Sequence, residues 1–283
     1  MPTAYDLAIT QLYKYRPLSE GQRQYTHRVI THNELMFASP KSFNDPFEAR
    51  PQVRISGTRK EIEIFLAEMV KNLNHGETPA ERLRERKKVE RTFRKDPHTN
   101  FQQTLWEILN DYGVLSLSAD PVQPLMWSHY ADSRQGVCFE FDAREYFFQY
   151  ARQVSYQSEY PLVDPRTQSA LVINETAIVT KAKFWEYEQE FRVIFPKMSD
   201  EEKQRQIAGL TTNELGKHLV TLHNGPGVVT FPPKALTGVI LGARVSQRDE
   251  AEIVGLVRGL RPDVRVERAM LHNSSYRLER VAL

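Results

Sequence analysis

Apolar and polar residues alternate in several short segments of the chain, which is the pattern of strands that bury one face. Residues 12–16 alternate in this way and stop at Pro17, and residues 35–38 form a second candidate strand. Segments rich in β-branched and aromatic residues predict further strands at 113–118, 136–141 and 190–195, with extended chain at 153–157. Together these strands predict a mixed, mostly antiparallel sheet core.

Helical spacing of apolar residues interrupts the strand pattern early in the chain. Thr58 opens a helix, with Glu61 at the capping-box position. Two more helices are predicted at about 79–95 and 101–109. Residues 58–110 are therefore predicted to be a helical insertion between two strand-rich parts.

Further helices are predicted later in the chain. They are a short one at 125–131, one at 168–184, and two that begin at the capping boxes Ser199 with Glu202 and Thr211 with Glu214.

The end of the chain predicts a strand, a helix and two more strands. The segments are 236–242, 246–260, 264–270 and 276–280. A strand–helix–strand unit of this length is long enough for a parallel crossover. The sequence thus predicts an α+β fold in one elaborated domain, 1–283, with a helical insertion at 58–110 and a C-terminal unit at 236–283.

Charge is nearly balanced over the 283 residues, with 38 Lys and Arg against 36 Asp and Glu. This balance argues against a protein dedicated to nucleic acid. The segment from Arg82 to Lys95 is the exception, because it carries eight basic residues and two acidic ones. It predicts either a face that contacts nucleic-acid phosphates or, as is commoner for such runs, a solvated helical face.

The N-terminus lacks a basic region followed by an apolar one, and no apolar run reaches the ~20 residues of a membrane span. We therefore expect a cytoplasmic protein without a membrane partner. The single cysteine, Cys138, lies in an apolar strand and is interpreted as a core residue rather than a nucleophile. The histidines are scattered rather than placed at ligand spacing, so we expect no metal.

Polar side chains share one face on each of three predicted strands, because side chains alternate with period two. They are Lys14 and Arg16 on the first strand, Ser116 and Ser118 on a middle strand, and Glu188, Glu190 and Arg192 on a late one. If these faces meet, they form a cleft with cations, hydroxyl groups and two carboxylates. The alternative is three half-solvated strands joined by cross-strand ion pairs.

Of the two carboxylates, Glu190 is the stronger candidate for chemistry. It lies inside the regular strand, with Arg192 on the same face to keep it ionised, whereas Glu188 lies where the strand is expected to fray. The alternative is that Glu190 only forms an ion pair with Arg192 or Lys14.

The segment LMWSHYA places Trp127, His129 and Tyr130 in one short helix. It predicts either an aromatic platform for a ring-bearing ligand, with His129 as a donor or acid–base group, or a core-facing helix. We expect Trp127 and Tyr130 to be mostly buried under both interpretations. Asn44 and Asp45 either contribute an amide and a carboxylate to a cleft or form an Asx turn.

The blocks LYKYR, FNDPFE, LSLS and LMWSHYA, with FWEYEQEFR in the pattern WxYExEFR, resemble a widespread bacterial family of unknown function. The resemblance extends from about Leu12 to Val281. It implies membership of the family and no particular activity.

A more distant resemblance is to the ADP-ribosyltransferases, which place His or Arg on an early strand, a Ser or Tyr motif on a second, and Glu on a late one. Here Lys14 or Arg16 takes the first place, Ser116 and Ser118 the second, and Glu190 the third. The order matches, but the first strand has Leu-Tyr-Lys where those enzymes have His or Arg, and the Trp–His–Tyr helix has no counterpart.

The resemblance implies an enzyme of toxin or defence type that consumes NAD as its substrate. Glu190 would hold the ribose 2′-hydroxyl, Arg16 the pyrophosphate and Trp127 the nicotinamide ring. The implied catalytic residues are Glu190, Arg16 and Ser118, and the implied NAD-binding residues are Lys14, Ser116, Trp127, His129, Tyr130 and Asn44. The alternatives are a non-catalytic sensing or interaction protein and a nucleic-acid-processing protein.

Overall fold

The structure is a computed structural model that describes residues 1–71, 78–201, 204 and 225–283. The helices predicted from the capping boxes at Ser199 and Thr211 fall mainly outside these ranges. The chain divides into two compact units. The first consists of Met1–Ser42, Asp111–Tyr156 and Lys183–Leu283, and the second of Phe43–Asn110 and Gln157–Ala182.

The described strands follow the chain in this order: β1 (Gln11–Arg16), β2 (Glu34–Phe37), β3 (Gln52–Val53), β4 (Gly113–Ser118), β5 (Val137–Asp142), β6 (Arg152–Gln153), β7 (Ser155–Gln157), β8 (Leu162–Val163), β9 (Thr180–Ala182), β10 (Glu190–Phe195), β11 (Gly227–Thr230), β12 (Leu236–Leu241), β13 (Arg265–Leu271) and β14 (Leu278–Ala282). The described α-helices are α1 (Arg23–Thr31), α2 (Arg59–Lys71), α3 (Pro79–Lys95), α4 (Pro97–Asn110), α5 (Pro124–Tyr130), α6 (Ala170–Ile178) and α7 (Gln247–Leu260).

An eight-stranded sheet forms the centre of the first unit, in the order β14-β13-β12-β5-β1-β4-β10-β6. Strands β12 and β13 run parallel on either side of the α7 crossover, and the other neighbours are antiparallel. The predicted α+β class and the mixed, mostly antiparallel sheet are confirmed.

Both faces of this sheet are covered. On one face, Leu12, Phe139 and Phe191 pack in a core that includes side chains of α1 and α7. On the other face, Tyr13 and Tyr15 pack with residues of α5. Helix α1 was not predicted, because its apolar pattern is short: Thr26, Val29 and Ile30 are its buried residues.

The second unit holds the helices of the predicted insertion, α2 to α4. A capping box between Thr78 and Glu81 begins α3, and a parallel pair of short strands, β3 and β8, lies in the same unit. A buried ion pair joins Lys181 Nζ to Glu48 Oε1 at 3.0 Å.

One buried carboxylate is bonded to four strands of the main sheet besides its own. Glu140 on β5 is 0% exposed. It accepts hydrogen bonds from Gln11 Nε2 of β1 at 2.9 Å and from Thr237 Oγ1 of β12 at 3.0 Å. It is also bonded to Arg265 of β13 and, at 2.6 Å, to Arg280 of β14.

The backbone beside Glu140 leaves room for this carboxylate. A Cβ atom added to Gly238 would lie 3.3 Å from Glu140 Cβ, a contact tighter than usual. Tyr13 lies in the same region, and burial, followed by the charge of Glu140, raises the pKa of its hydroxyl to about 12. Strands β1, β5, β12, β13 and β14, which are neighbours in the sheet, are therefore joined around one desolvated charge.

We expect Glu140→Gln to lower the free energy of unfolding by about 3 kcal/mol, because it removes the charge that balances two arginines in a buried network. Denaturant unfolding followed by circular dichroism measures the change. Glu279→Gln on β14 is the matched control, because that side chain is 44% exposed. Equal midpoints for the two variants would contradict the structural role of Glu140.

Candidate functional site

The serine and glutamate faces predicted from the sequence do meet, on neighbouring strands. Glu190 pairs with Ser118 and Arg192 pairs with Ser116 across β10 and β4. Tyr13 of β1 pairs with Ser118 from the other side. Because paired residues point to the same face of a sheet, Ser118 and Glu190 share the face of Tyr13.

The same register places Lys14 and Arg16 on the opposite face of β1. Lys14 pairs with Phe139 and Arg16 with Val137, on the face of the α1–α7 core. The expectation that Arg16 lies in one cleft with Ser118 and Glu190 is therefore not met by the strand geometry. Alternation shows which residues of a strand share a face, but it does not show which face meets a neighbouring strand.

Strands β1 and β4 are paired at a single position and diverge from there. Within the described chain they pair only at Tyr13 and Ser118, whereas β1 pairs with β5 over all six of its residues. Lys14 bridges the gap, because its Nζ donates a hydrogen bond to the backbone oxygen of Ser116 at 2.7 Å. A side chain thus replaces ladder hydrogen bonds at the centre of the sheet.

The pKa of the Lys14 ammonium is influenced by the other charged residues that the sequence predicted for this site. Burial lowers its pKa to about 8, and the positive charges of Arg16 and Arg192 act in the same direction. The carboxylates of Glu190 and Glu188 oppose this shift. Four charged residues from β1, β10 and the turn before β10 therefore lie within electrostatic range of one amine.

Glu190 is the first residue of β10, so it lies at the start of the strand rather than inside it, and it forms a bidentate pair with Arg192. Arg192 Nε lies 2.7 Å from Glu190 Oε1, and the second pair of atoms is 2.9 Å apart. Both residues are at most 4% exposed. The backbone N–H of Glu190 also donates to the Tyr156 hydroxyl at 2.8 Å, so the carboxylate is held on a rigid element.

The prediction that Glu188 continues the strand and frays is wrong. Glu188 ends a 3₁₀ helix, Lys183–Glu188, and Gln189 has a left-handed φ of 45° before β10 begins. Its side chain is buried, and its Oε1 accepts a hydrogen bond from the Tyr130 hydroxyl at 2.7 Å. Ser118 Oγ donates to the Glu188 backbone oxygen, also at 2.7 Å.

Trp127 is fully buried, as expected for a core-facing residue. Its Nε1 donates to the Pro121 oxygen at 2.9 Å, and its ring packs edge-on against Tyr15. It therefore offers no ring face to a ligand, which corrects its assignment to NAD binding. Tyr130 is only half-buried and His129 is exposed.

Three aromatic rings lie close to His129, one from its own helix and two from the segment before β10. The ring centroids of Tyr130, Trp185 and Tyr187 lie 6.2, 6.3 and 6.4 Å from that of His129. Sequence reasoning missed Trp185 and Tyr187, although the aromatic run FWEY that precedes Glu188 carried the signal. Because Tyr130 also bonds to Glu188, this cluster adjoins a buried carboxylate.

Asn44 belongs to the second unit, unlike the other candidate residues. Next to it, Asp45 Oδ1 accepts the backbone N–H of Phe47 at 2.9 Å, which is the Asx-turn alternative predicted for this loop.

The described residues contain no group of three or more His, Cys, Asp or Glu side chains that could hold a metal ion. Burial raises the pKa of the Cys138 thiol. No helix in the described ranges is long and apolar enough to cross a membrane.

Residues 126–193 match the model of a family described as a protein of unknown function, DUF2971. This match confirms the resemblance to a family of unknown function. The matched segment contains Glu188 and Glu190, together with Tyr130 and Arg192, whose side chains bond to them. No curated protein and no solved structure gives a significant match to the chain.

We expect Lys14 to be unusually reactive towards acylating reagents near neutral pH. With a pKa of about 8, roughly one amine in ten is neutral at pH 7, against fewer than about one in a thousand for an ordinary lysine. Peptide mass spectrometry after brief acetylation at a series of pH values measures this. The rate for Lys14 should level off above about pH 8.

Lys234 is the matched control, because its side chain is 71% exposed. Its acetylation rate should keep rising to about pH 10. A Lys14 profile that runs parallel to that of Lys234 would contradict the lowered pKa, because restricted access changes the rate but leaves the midpoint in place.

Proposed function

We propose that the chain is a NAD-consuming enzyme of the ADP-ribosyltransferase-like type, in the toxin or defence class that the distant resemblance implies. One observation carries the proposal: Glu190 lies beside Ser118 where β10 pairs with β4, and the Lys14 ammonium connects β1 to β4 through the Ser116 oxygen. A cation attracts the anionic dinucleotide, and a buried carboxylate stabilises positive charge that develops on its ribose.

The reaction begins with cleavage of the bond between the ribose C1′ and the nicotinamide ring nitrogen. The bonding electron pair leaves with the nitrogen, so neutral nicotinamide departs and an oxocarbenium-like ribose remains. An oxygen of water or of an acceptor then forms the new bond to C1′, and its proton passes to a base. A carboxylate next to the ribose lowers the energy of the charged state, a contribution of several kcal/mol.

Glu190 is proposed for this carboxylate, because the strand ladder and Arg192 hold it in place. Arg192 also favours the ionised form through a bidentate contact. Ser118 acts as a positioning residue, because its hydroxyl donates to the backbone oxygen of Glu188 at 2.7 Å and accepts the backbone N–H of Asp120 at 3.1 Å.

The ring cluster around His129 replaces Trp127 as the proposed contact for nicotinamide. Flat rings stack on exposed aromatic faces, and His129 is exposed with Trp185 and Tyr187 beside it. Tyr130 connects this cluster to Glu188 through its hydroxyl.

A non-catalytic interaction protein is the second candidate, and the Glu190–Arg192 pair is the observation that favours it. A bidentate buried pair satisfies both partners, so it has a structural role even without a substrate. The nucleic-acid alternative depends on α3, where Arg84, Lys87, Lys88 and Arg91 are exposed.

We expect Glu190→Gln to lower the rate of nicotinamide release from NAD by about 100-fold or more, because the variant keeps the shape of the side chain and removes its charge. Glu188→Gln should lower the rate less, because its amide oxygen can still accept the Tyr130 hydrogen bond. Chromatography of NAD incubated with each purified protein measures the rate.

Glu186→Gln is the matched control, because this glutamate lies in the same 3₁₀ helix and its side chain is 56% exposed. Equal rates for Glu190→Gln and Glu186→Gln would contradict the proposed role of Glu190.

Thermal shift of the parent protein provides a test that needs no variant. Ligand binding raises the apparent stability, so NAD should raise the Tm. No shift with NAD and no nicotinamide release would remove the proposal. A shift with an RNA or DNA oligonucleotide instead would favour the nucleic-acid alternative.

A further inference from the structure

A separate pocket lies in the first unit, on the face of β1 that points away from Glu190. Its volume is about 440 Å³. Lys14 and Arg16 of β1 line it together with residues of α1, β2 and β11. The pocket is distinct from the ring cluster around His129, whose residues do not line it.

The pocket carries an excess of positive charge. Lys14, Arg16 and Arg28 contribute three cations, and Glu34 contributes one carboxylate. Glu34 is already paired, because both of its oxygens accept hydrogen bonds from Arg28, at 2.5 and 2.7 Å. Two cations of the lining are therefore not balanced by a carboxylate of the lining.

Arg16 has an unusual position among these cations. Its Nε is buried and has no hydrogen-bond partner within the described residues. No carboxylate of the described chain forms an ion pair with its guanidinium, although other arginines of the sheet do: Arg192 pairs with Glu190, and Arg280 pairs with Glu140 and Glu267. Buried donors are normally satisfied, so an unpaired guanidinium facing a pocket indicates an anionic ligand.

Apolar and aromatic side chains form part of the rim of the pocket, beside the polar Gln24 and the charged Arg28. Tyr25, Met36 and Val228 line it and are between 43 and 54% exposed. A planar guanidinium binds phosphate oxygens in a bidentate manner, and an ammonium supplies a second charge. In such a pocket the cations can bind a phosphate, and the apolar side chains can contact an organic group attached to it.

We propose that the pocket lined by Lys14, Arg16 and Arg28 binds the phosphoryl group of a small organic phosphate, with Arg16 as its principal ligand. The proposal goes beyond the NAD reaction, because the strand register places this pocket on the other face of β1 from Glu190. Lys14 belongs to both proposals, whereas Arg16 and Glu190 each belong to one, so the experiments on Arg16 and on Glu190 can fail separately.

Lys14 provides a probe of the pocket that needs no variant. Pyridoxal 5′-phosphate combines a phosphate with an aldehyde: the neutral Lys14 amine adds to the aldehyde carbon, water is lost, and borohydride reduces the resulting imine by delivering hydride to its carbon. Burial lowers the pKa of Lys14 to about 8, which supplies the neutral amine. Peptide mass spectrometry then locates the label.

We expect pyridoxal 5′-phosphate to label Lys14 in preference to Lys234, and inorganic pyrophosphate to protect Lys14 at least about fivefold. Arg16→Gln should weaken pyrophosphate binding, measured by calorimetry, at least about tenfold, because a charge-assisted contact to phosphate is lost. Arg144→Gln, an exposed arginine outside the pocket, should leave binding within about twofold. Calorimetry with inorganic phosphate, and labelling with pyridoxal, which lacks the phosphate, show whether the phosphoryl group alone is recognised.

Absence of calorimetric binding by the parent protein, or binding that Arg16→Gln leaves unchanged, would overturn the proposal. If Arg16→Gln does not fold by circular dichroism, Arg28→Gln on the more exposed wall takes its place, with at least about threefold weaker binding expected. Label spread evenly over exposed lysines, with no protection of Lys14 by pyrophosphate, would also overturn it.

Discussion

A single buried carboxylate determines how half of the main sheet is assembled. Glu140 has no exposed surface, and its oxygens accept bonds from β1, β12, β13 and β14. A desolvated charge is costly unless its partners are in place, so these four strands must take the register that delivers them. Gly238 contributes by leaving the space that a Cβ would take. The position of β1 follows from this network.

Strand β1 is therefore held on its β5 side and open on its β4 side. All six residues pair with β5, and one pairs with β4. The opening allows Lys14 to reach the Ser116 oxygen, and it leaves Arg16 at the wall of a pocket. The positions of Lys14 and Arg16 thus follow from the divergence of β1 and β4.

The sequence predicted which residues share a face more reliably than which faces meet. Period-two alternation placed Ser118 near Glu190, and the pairing of β4 with β10 confirms that placement. It could not assign Arg16 to a side of the sheet, because the neighbours of β1 depend on residues far away in the chain. Nor could it foresee that Gln189, with a positive φ, would separate Glu188 from the strand. Local backbone conformations of this kind depend on tertiary contacts such as the Tyr130–Glu188 hydrogen bond.

The charge of the pocket on the α1 face of β1 is the physical basis for the phosphate ligand that we propose. Lys14 is mostly protonated at pH 7, because its pKa is about 8, and Arg16 lies on the same face of β1, away from the face of Ser118 and Glu190. In the pocket that these two cations line, the Glu34 carboxylate is already paired with Arg28, so neither cation is balanced by a carboxylate of the lining. A purely structural arrangement would leave this positive charge without a balancing carboxylate, which is unfavourable for a partly desolvated cation. A ligand that carries phosphate restores the balance, and it does so on the side where the Arg16 Nε lacks a partner among the described residues.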